Sequence, residues 1–174
     1  LQLTHRRQYA YSRRNEDVRV RNLCGESETT YAYNTNGRLS QLLVKTTDGV
    51  ITKYVYGLGL IGEETSGSFK TYHFDYRGST AAITDINGNV TDTFEYDTYG
   101  NLVSRTGTSA VIFLYNGRDG VVTDRNGLIY MRARYYSPEL RRFINADIIA
   151  GNISDSVTLN RYAYANGNPV SNVD

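Results

Sequence analysis

Two aspartates near the end of this 174-residue sequence stand where they could do chemistry. One closes the stretch Gly127–Asp147, GLIYMRARYYSPELRRFINAD, which crowds arginines, tyrosines and one of the chain's two prolines together. The other is the final residue, Asp174. Two carboxylates that a fold brings close cannot both ionise cheaply. One keeps a proton and can polarise a carbonyl, while the other activates water. The competing reading is structural, with Asp147 a turn cap and Asp174 a chain end. Other chemistries find little support. Cys24 is alone, so no disulfide or cysteine metal cluster can form within the chain. His5 and His73 are too isolated for a zinc site, so neither metal nor cofactor is expected. A Gly-x-Ser-x-Gly elbow, a phosphate loop and a dinucleotide fingerprint are all missing from the sequence.

The elements that would position these residues are written in tyrosine and glycine. The chain has 16 of each, no tryptophan and 40% hydrophobic residues, which implies a folded chain with many half-buried strand surfaces. The net charge of +1 hides a basic start, since residues 1–24 carry six arginines against Glu16 and Asp17. Val18-Arg19-Val20-Arg21 alternates as an amphipathic strand does, and no aromatic interleaving supports a nucleic-acid partner, so none is expected. The longest apolar run, Ala110–Leu114, is too short to span a bilayer, so no membrane span is expected. A start at Leu1 suggests a fragment of something longer.

Turn glycines fall at Gly37, Gly49, Gly59, Gly67, Gly78, Gly88, Gly100, Gly107, Gly117 and Gly127, spaced 7 to 12 residues apart. Asn36-Gly37, Asp48-Gly49, Asn87-Gly88, Asn116-Gly117 and Asn126-Gly127 tolerate the positive φ of a type I′ hairpin. Between them the strands alternate. Val50, Thr52, Tyr54 and Tyr56 share one face of Val50–Tyr56, and Val90, Phe94 and Tyr96 share one face of Val90–Tyr96. Tyr33-Asn34-Thr35-Asn36-Gly37-Arg38-Leu39 and Tyr96-Asp97-Thr98-Tyr99-Gly100-Asn101-Leu102 share the pattern Tyr-(Asn/Asp)-Thr-x-Gly-x-Leu. In such a unit tyrosine packs between hairpins, Asn or Asp caps the turn and glycine permits it, so neighbouring units must stack. The fold class is therefore all-β, a succession of β-hairpins. Residues 1–30 are the least legible, with strands at Tyr9–Tyr11 and Val18–Leu23 and no turn chemistry over Gly25–Thr30. Residues 31–126 read as hairpin repeats and 127–174 as a closing segment. In that segment Leu128–Tyr136 reads as one strand, which would put Arg134 on a face with Leu128, Tyr130 and Arg132. Ser137-Pro138 is a good helix start, which predicts a short helical turn at Pro138–Arg142 before the chain returns toward Arg134 with Asp147.

These motifs resemble the RHS/YD-repeat family. The likeness runs from Tyr54-Val55-Tyr56-Gly57-Leu58-Gly59 through Phe74-Asp75-Tyr76-Arg77-Gly78-Ser79 and Phe94-Glu95-Tyr96-Asp97. It continues in Ala133-Arg134-Tyr135-Tyr136, Arg142-Phe143, Asp147, Asn160-Arg161-Tyr162-Ala163-Tyr164 and Asn168-Pro169. It covers about residues 31–174 and is similar to the RHS-repeat-associated core of Tc toxin C components, bacterial polymorphic toxins, wall-associated proteins and teneurins. The resemblance implies an arc of a spiral β-shell whose core curls inward as a plug, enclosing a C-terminal effector. It implies upstream repeats and that effector as partners, and a secreted or cell-surface bacterial setting.

In cleaving members the core is an aspartic self-protease, and the match carries that role onto Arg134, Asp147 and Asp174. The arginine would hold one carboxylate charged and oriented. The sequence departs from the family where Asp-Pro-x-Gly would follow the first aspartate, reading Asp147-Ile148-Ile149-Ala150-Gly151. The family's scissile bond lies beyond the second aspartate, so no cleavage is expected within residues 1–174. The alternative to containment is a cell-surface adhesion module binding carbohydrate or protein on tyrosine faces. Open edge strands add an expectation of self-association. Asn152-Ile153-Ser154 fits a glycosylation pattern of little meaning in a bacterial protein.

Overall fold

A computed structural model describes residues 7–12, 18–24, 27–37, 39–149 and 156–172. Ten antiparallel strands in sequence order form one sheet: β1 (Arg7–Ser12), β2 (Val18–Cys24), β3 (Ser27–Asn34), β4 (Gln41–Thr47), β5 (Val50–Tyr56), β6 (Leu60–Thr65), β7 (Ser68–Phe74), β8 (Thr80–Thr84), β9 (Val90–Tyr96) and β10 (Leu102–Thr106). The expected strands Val50–Tyr56 and Val90–Tyr96 form with those boundaries. Thr52 and Tyr54 are buried on the inner face of β5, while Ile51, Lys53 and Val55 face outward. The basic start continues this sheet, since β1 pairs with β2 and β2 with β3. β3 begins at Ser27, inside the stretch where the sequence carries no turn signal.

The turns divide into two designs. Thr47 pairs with Val50 across Asp48 (φ 49°) and Gly49 (φ 82°), as a type I′ turn requires. Ser66-Gly67 does the same between β6 and β7. The second design is an Asp-x-x-Gly turn at Asp75–Ser79, Asp85–Asn89 and Asp97–Asn101. In each, the glycine N–H donates to the aspartate carbonyl at 3.0 Å. One aspartate Oδ1 accepts two further backbone N–H groups, from the residues two and four positions later. The aspartate of the repeat is thus a turn cap. The side-chain and backbone donors of Asn89 hold the exposed Asp85 carboxyl below the usual carboxylate range. Asn87-Gly88 and Asn126-Gly127 are the later half of such four-residue links rather than two-residue turns. Asn116-Gly117 is not a hairpin turn; Asn116 (φ 53°) leads into a three-ten helical turn at Gly117–Asp119.

One margin of this wall is crimped. Bulges interrupt the register at Ala10/Tyr11, Ala32/Tyr33, Val55/Tyr56, His73/Phe74 and Leu102/Ser104, five at the end where odd strands pass to even ones, against one at the other end, Ile83/Thr84. A bulge bends its strand and increases local twist, so a row along one margin curls the sheet. The concave face carries Leu42, Tyr54, Leu60, Tyr72, Ile83 and Phe94, each at most 5% exposed.

A segment of the chain fills that concavity. After β10, residues 110–116 run against the inner face with Phe113 fully buried. Tyr54 meets the Phe113 ring edge-on at 5.0 Å. Thr80 on β8 holds the segment twice, N–H to Leu114 O at 2.9 Å and hydroxyl to Phe113 O at 2.7 Å. On its other side lies a four-stranded antiparallel sheet, β11 (Val122–Thr123), β12 (Ile129–Met131), β13 (Arg134–Ser137) and β14 (Arg142–Phe143). Thr123 N–H donates to Ile112 O at 2.8 Å. An Asp124–Leu128 turn joins β11 to β12.

One expectation for the closing segment is corrected and another narrowed. Leu128–Tyr136 is a tight hairpin, not one strand: Met131 pairs with Arg134, and Arg132 takes φ 55° at the turn. Arg134 therefore shares no strand with Tyr130. The expected helical turn at Pro138–Arg142 is a single capped turn over Pro138–Arg141, with Arg142 already in β14. Ser137 Oγ accepts the Leu140 N–H at 3.2 Å, as a cap would, and Arg141 N–H closes one turn on Pro138 O at 3.1 Å. Arg141 then enters the left-handed region (φ 55°), and the chain returns as β14.

Candidate functional site

The hairpin turn at Arg132-Ala133 and the reversal at Pro138–Arg141 fold the closing segment back on itself, which sets Arg134 beside Asp147. Arg134 Nη1 lies 3.0 Å from Asp147 Oδ2, with side-chain exposures of 17% and 30%. The guanidinium also sits 3.5 Å over the Phe143 ring, a cation–π contact that fixes its plane. The other Asp147 oxygen, Oδ1, accepts the Ile149 N–H at 2.9 Å. Both carboxylate oxygens are thus oriented, one by a cation and one by the backbone just after it.

The main chain of Asp147 is held from a second direction. Its N–H donates to Arg161 O at 2.8 Å. In return Arg161 donates from Nε at 2.7 Å, and from Nη2, to the Asp147 carbonyl. Phe143 N–H donates to Tyr162 O at 3.0 Å, and Arg142 bridges Ala163, so residues 160–163 run antiparallel beside 142–147. Under this lacing lies a small aromatic core. Tyr136 and Tyr164 pack with ring centroids 4.3 Å apart and planes tilted by 36°, Phe143 packs against both, and Asn116 Nδ2 donates to Tyr164 Oη at 3.1 Å.

The site is anchored to the crimped margin of the wall. Tyr136 Oη donates to Tyr99 O at 2.7 Å, Tyr115 Oη to Thr98 O at 3.3 Å and Asn101 Nδ2 to Pro138 O at 3.3 Å. Arg77 reaches from the β7–β8 turn to Thr98 O at 3.1 Å and to Pro169 O. Gly100 (φ 86°) admits the Tyr115 ring, which a Cβ there would meet at 2.7 Å.

Of the three residues that the sequence singled out, Arg134 and Asp147 are together, while Asp174 lies outside the described residues. So does Asn152-Ile153-Ser154. No group of three or more metal-ligating side chains occurs among the described residues. None of their helices is long and apolar enough to cross a membrane.

Among the buried carboxyls that escaped sequence reasoning, Asp92 and Glu63 lie on the wall itself. Asp92, fully buried on β9, accepts Ser109 N–H and Thr91 Oγ1, both at 2.9 Å, and pairs with Arg105 Nη2 at 3.4 Å. Glu63 on β6 is 5% exposed and accepts the Tyr72 hydroxyl at 2.9 Å. Burial pushes the Glu63 carboxyl up against the opposing pull of Tyr72, Lys45 and Lys70. It lines an open cavity of about 1040 Å³ with Lys45, Lys70, Thr52 and Tyr31. Asp92 keeps the inward register of Val90–Tyr96, but an acidic residue carried no apolar signal there, and the bulge opposite Val55/Tyr56 breaks the alternation that would place Glu63.

Fold and site together define a curved wall of successive antiparallel hairpins, lined by an inward segment and closed by a small sheet that carries an Arg–Asp pair. The chain shares that fold with Tc toxin structures. It covers 98% of this chain and 9% of the matched chain in the crystal structure of TcdB2–TccC3–Cdc42, at TM-score 0.70 and 20% identity. In the Photorhabdus luminescens Tc holotoxin pore the TM-score is 0.72 at 19% identity, over 100% of this chain and 9% of that one. In sequence it is similar to the tRNA3(Ser)-specific nuclease WapA of Bacillus spizizenii, 32% identical over 162 residues, and to the tRNA nuclease WapA of Bacillus subtilis, 31% identical over 173 residues. The chain spans only 7% of the length of either WapA protein. A putative uncharacterized protein YibJ of Escherichia coli is 36% identical over 103 residues, which is 59% of this chain and 42% of YibJ. No family model matches the chain. These likenesses agree with the RHS/YD-repeat resemblance of the motifs and with a toxin-type relationship.

Proposed function

We propose that this chain is the RHS-repeat-associated core of a bacterial secreted or cell-surface toxin-type protein. It serves as wall and plug of a β-shell around a C-terminal effector, with upstream repeats continuing the wall beyond β1. The observation that carries this reading is the seating of residues 110–116, with Phe113 at their centre, on the concave face of the wall. A surface adhesion role through tyrosine faces is disfavoured, because Tyr54, Tyr72, Tyr115, Tyr130, Tyr136 and Tyr164 are all buried.

Within the same proposal, Arg134, Asp147 and Asp174 form an aspartic self-cleaving site. One carboxylate takes a proton from water as the water oxygen bonds to the scissile carbonyl carbon. The second, protonated carboxyl gives its proton to the carbonyl oxygen. The tetrahedral diol then collapses, breaking the C–N bond, with a proton passed to the departing amine. The contact supporting this reading is the oriented Arg134–Asp147 pair.

The test is expression of the full-length chain as wild type, Asp147→Asn and Asp174→Asn, followed by intact-mass analysis. The wild type is expected to separate into two fragments just beyond Asp174, and both variants to stay whole. A wild type that stays whole, or variants that cut as fast, would overturn the self-cleavage reading.

A further inference from the structure

Asp147 is held by two arginines in different ways, and the motif match assigns a role to only one. Arg134 touches the carboxylate. Arg161 touches the main chain of the same residue, closing a reciprocal pair in which Asp147 N–H donates to Arg161 O and the Arg161 guanidinium donates to Asp147 O. Both polar groups of the Asp147 backbone are therefore satisfied by one residue from a separate segment. Asp147 sits outside any strand, and after it the chain bends at Ile148 and Ile149.

We propose that Arg161 is a positioning residue for the Arg134–Asp147 pair, setting the carboxylate at the distance and angle at which Arg134 meets it. The proposal rests on the self-cleavage reading above. A guanidinium fork places two N–H groups on one carbonyl in a fixed plane, which a lysine ammonium cannot reproduce. A site of this kind needs its carboxylate held within about 0.5 Å, and a misplacement near 1 Å costs about a hundredfold in rate. The clamp also ties the first aspartate to the Asn160–Tyr164 segment, which leads on through Asn168-Pro169 toward the chain's second aspartate.

The experiment compares Arg161→Gln and Arg161→Lys with wild type, using two readouts. In the full-length chain, the first-order rate of fragment release is followed across pH. Arg161→Gln is expected to slow release about a hundredfold with an altered pH profile, and Arg161→Lys to recover only part of that loss. In residues 1–174, 15N NMR follows exchange and rotation of the Arg134 guanidinium, slow in wild type and freed in Arg161→Gln. Wild-type release rates in Arg161→Gln would overturn the proposal. So would a slowed rate with the Arg134 signals unchanged, since Arg161 would then act by another route. If the wild-type full-length chain does not cleave, the self-cleavage reading fails by itself. The NMR arm still decides whether Arg161 sets the pair.

Discussion

Replacing Asp92 with alanine should loosen the join between wall and inward segment more than any other polar substitution on the concave face. Its carboxylate is fully buried and accepts Ser109 N–H and Thr91 Oγ1, each at 2.9 Å. Ser109 is where the chain leaves β10 for the interior. In Asp92→Ala the Ser109 N–H loses its acceptor, at about 1–3 kcal/mol, and the vacated space adds about 1 kcal/mol. The Arg105 contact adds little, because that side chain is 32% exposed and keeps Ser109 O at 2.5 Å. The sum is about 3 kcal/mol, or about 6–12 °C in melting temperature for a chain of this size. Asp92→Asn keeps an acceptor and should lose about 1 kcal/mol. The pH dependence supplies a second check. Burial pulls the Asp92 carboxyl up, but the Ser109, Thr91 and Arg105 contacts outweigh it and hold it below the usual carboxylate range. A depressed folded value gives stability that is present above the unfolded pKa, about 3.9, and lost as pH falls through the folded one. Calorimetry should therefore show the Asp92→Ala deficit in full at pH 7 and shrinking below about pH 4. A melt within about 2 °C of wild type at pH 7, or a deficit constant down to acid pH, would refute the reasoning.

Glu63 should behave oppositely. Because burial raises its carboxyl, its contribution is complete below the unfolded pKa, about 4.3, and is lost as pH rises through the folded value. Glu63→Gln is expected to melt higher than wild type at pH 7 and level with it near pH 4; a lower melt at pH 7 would contradict this. Phe113→Ala empties the concavity and should cost about 3–5 kcal/mol by urea titration, and a loss under about 1 kcal/mol would remove the segment from the core. Gly107→Ala, where φ is 72° and a Cβ would lie 2.5 Å from Asp92 Oδ1, should destabilise comparably to Asp92→Ala and non-additively with it.

The wall was legible because two independent signals agreed there. Alternation ran through Val50–Tyr56 and the positive-φ pair Asp48-Gly49 set its start, and the strand formed as read. Where one signal was missing, the reading slipped. Arg132 takes a left-handed conformation with no glycine or asparagine to announce it, so the β12–β13 hairpin looked like one strand. Residues 110–114 drew notice only as an apolar run too short for a bilayer. Lack of alternation there was the mark of burial on both sides, between wall and small sheet. Motif likeness named Arg134 and Asp147. Their 3.0 Å approach depends on two chain reversals that local propensity did not encode.

The crimped margin divides the molecule's tolerance for change. The turns that receive the closing unit, at Gly59, Arg77–Ser79 and Thr98–Asn101, all lie along it. On the opposite margin Asp48-Gly49 and Ser66-Gly67 reverse the chain and, among the described residues, bond only within the wall, Asp48 accepting from Ser27 Oγ and Glu28 N–H. The far turns can therefore drift in sequence without altering how the small sheet is seated on the wall. The docking of the small sheet is thus concentrated on a few turns of one rim.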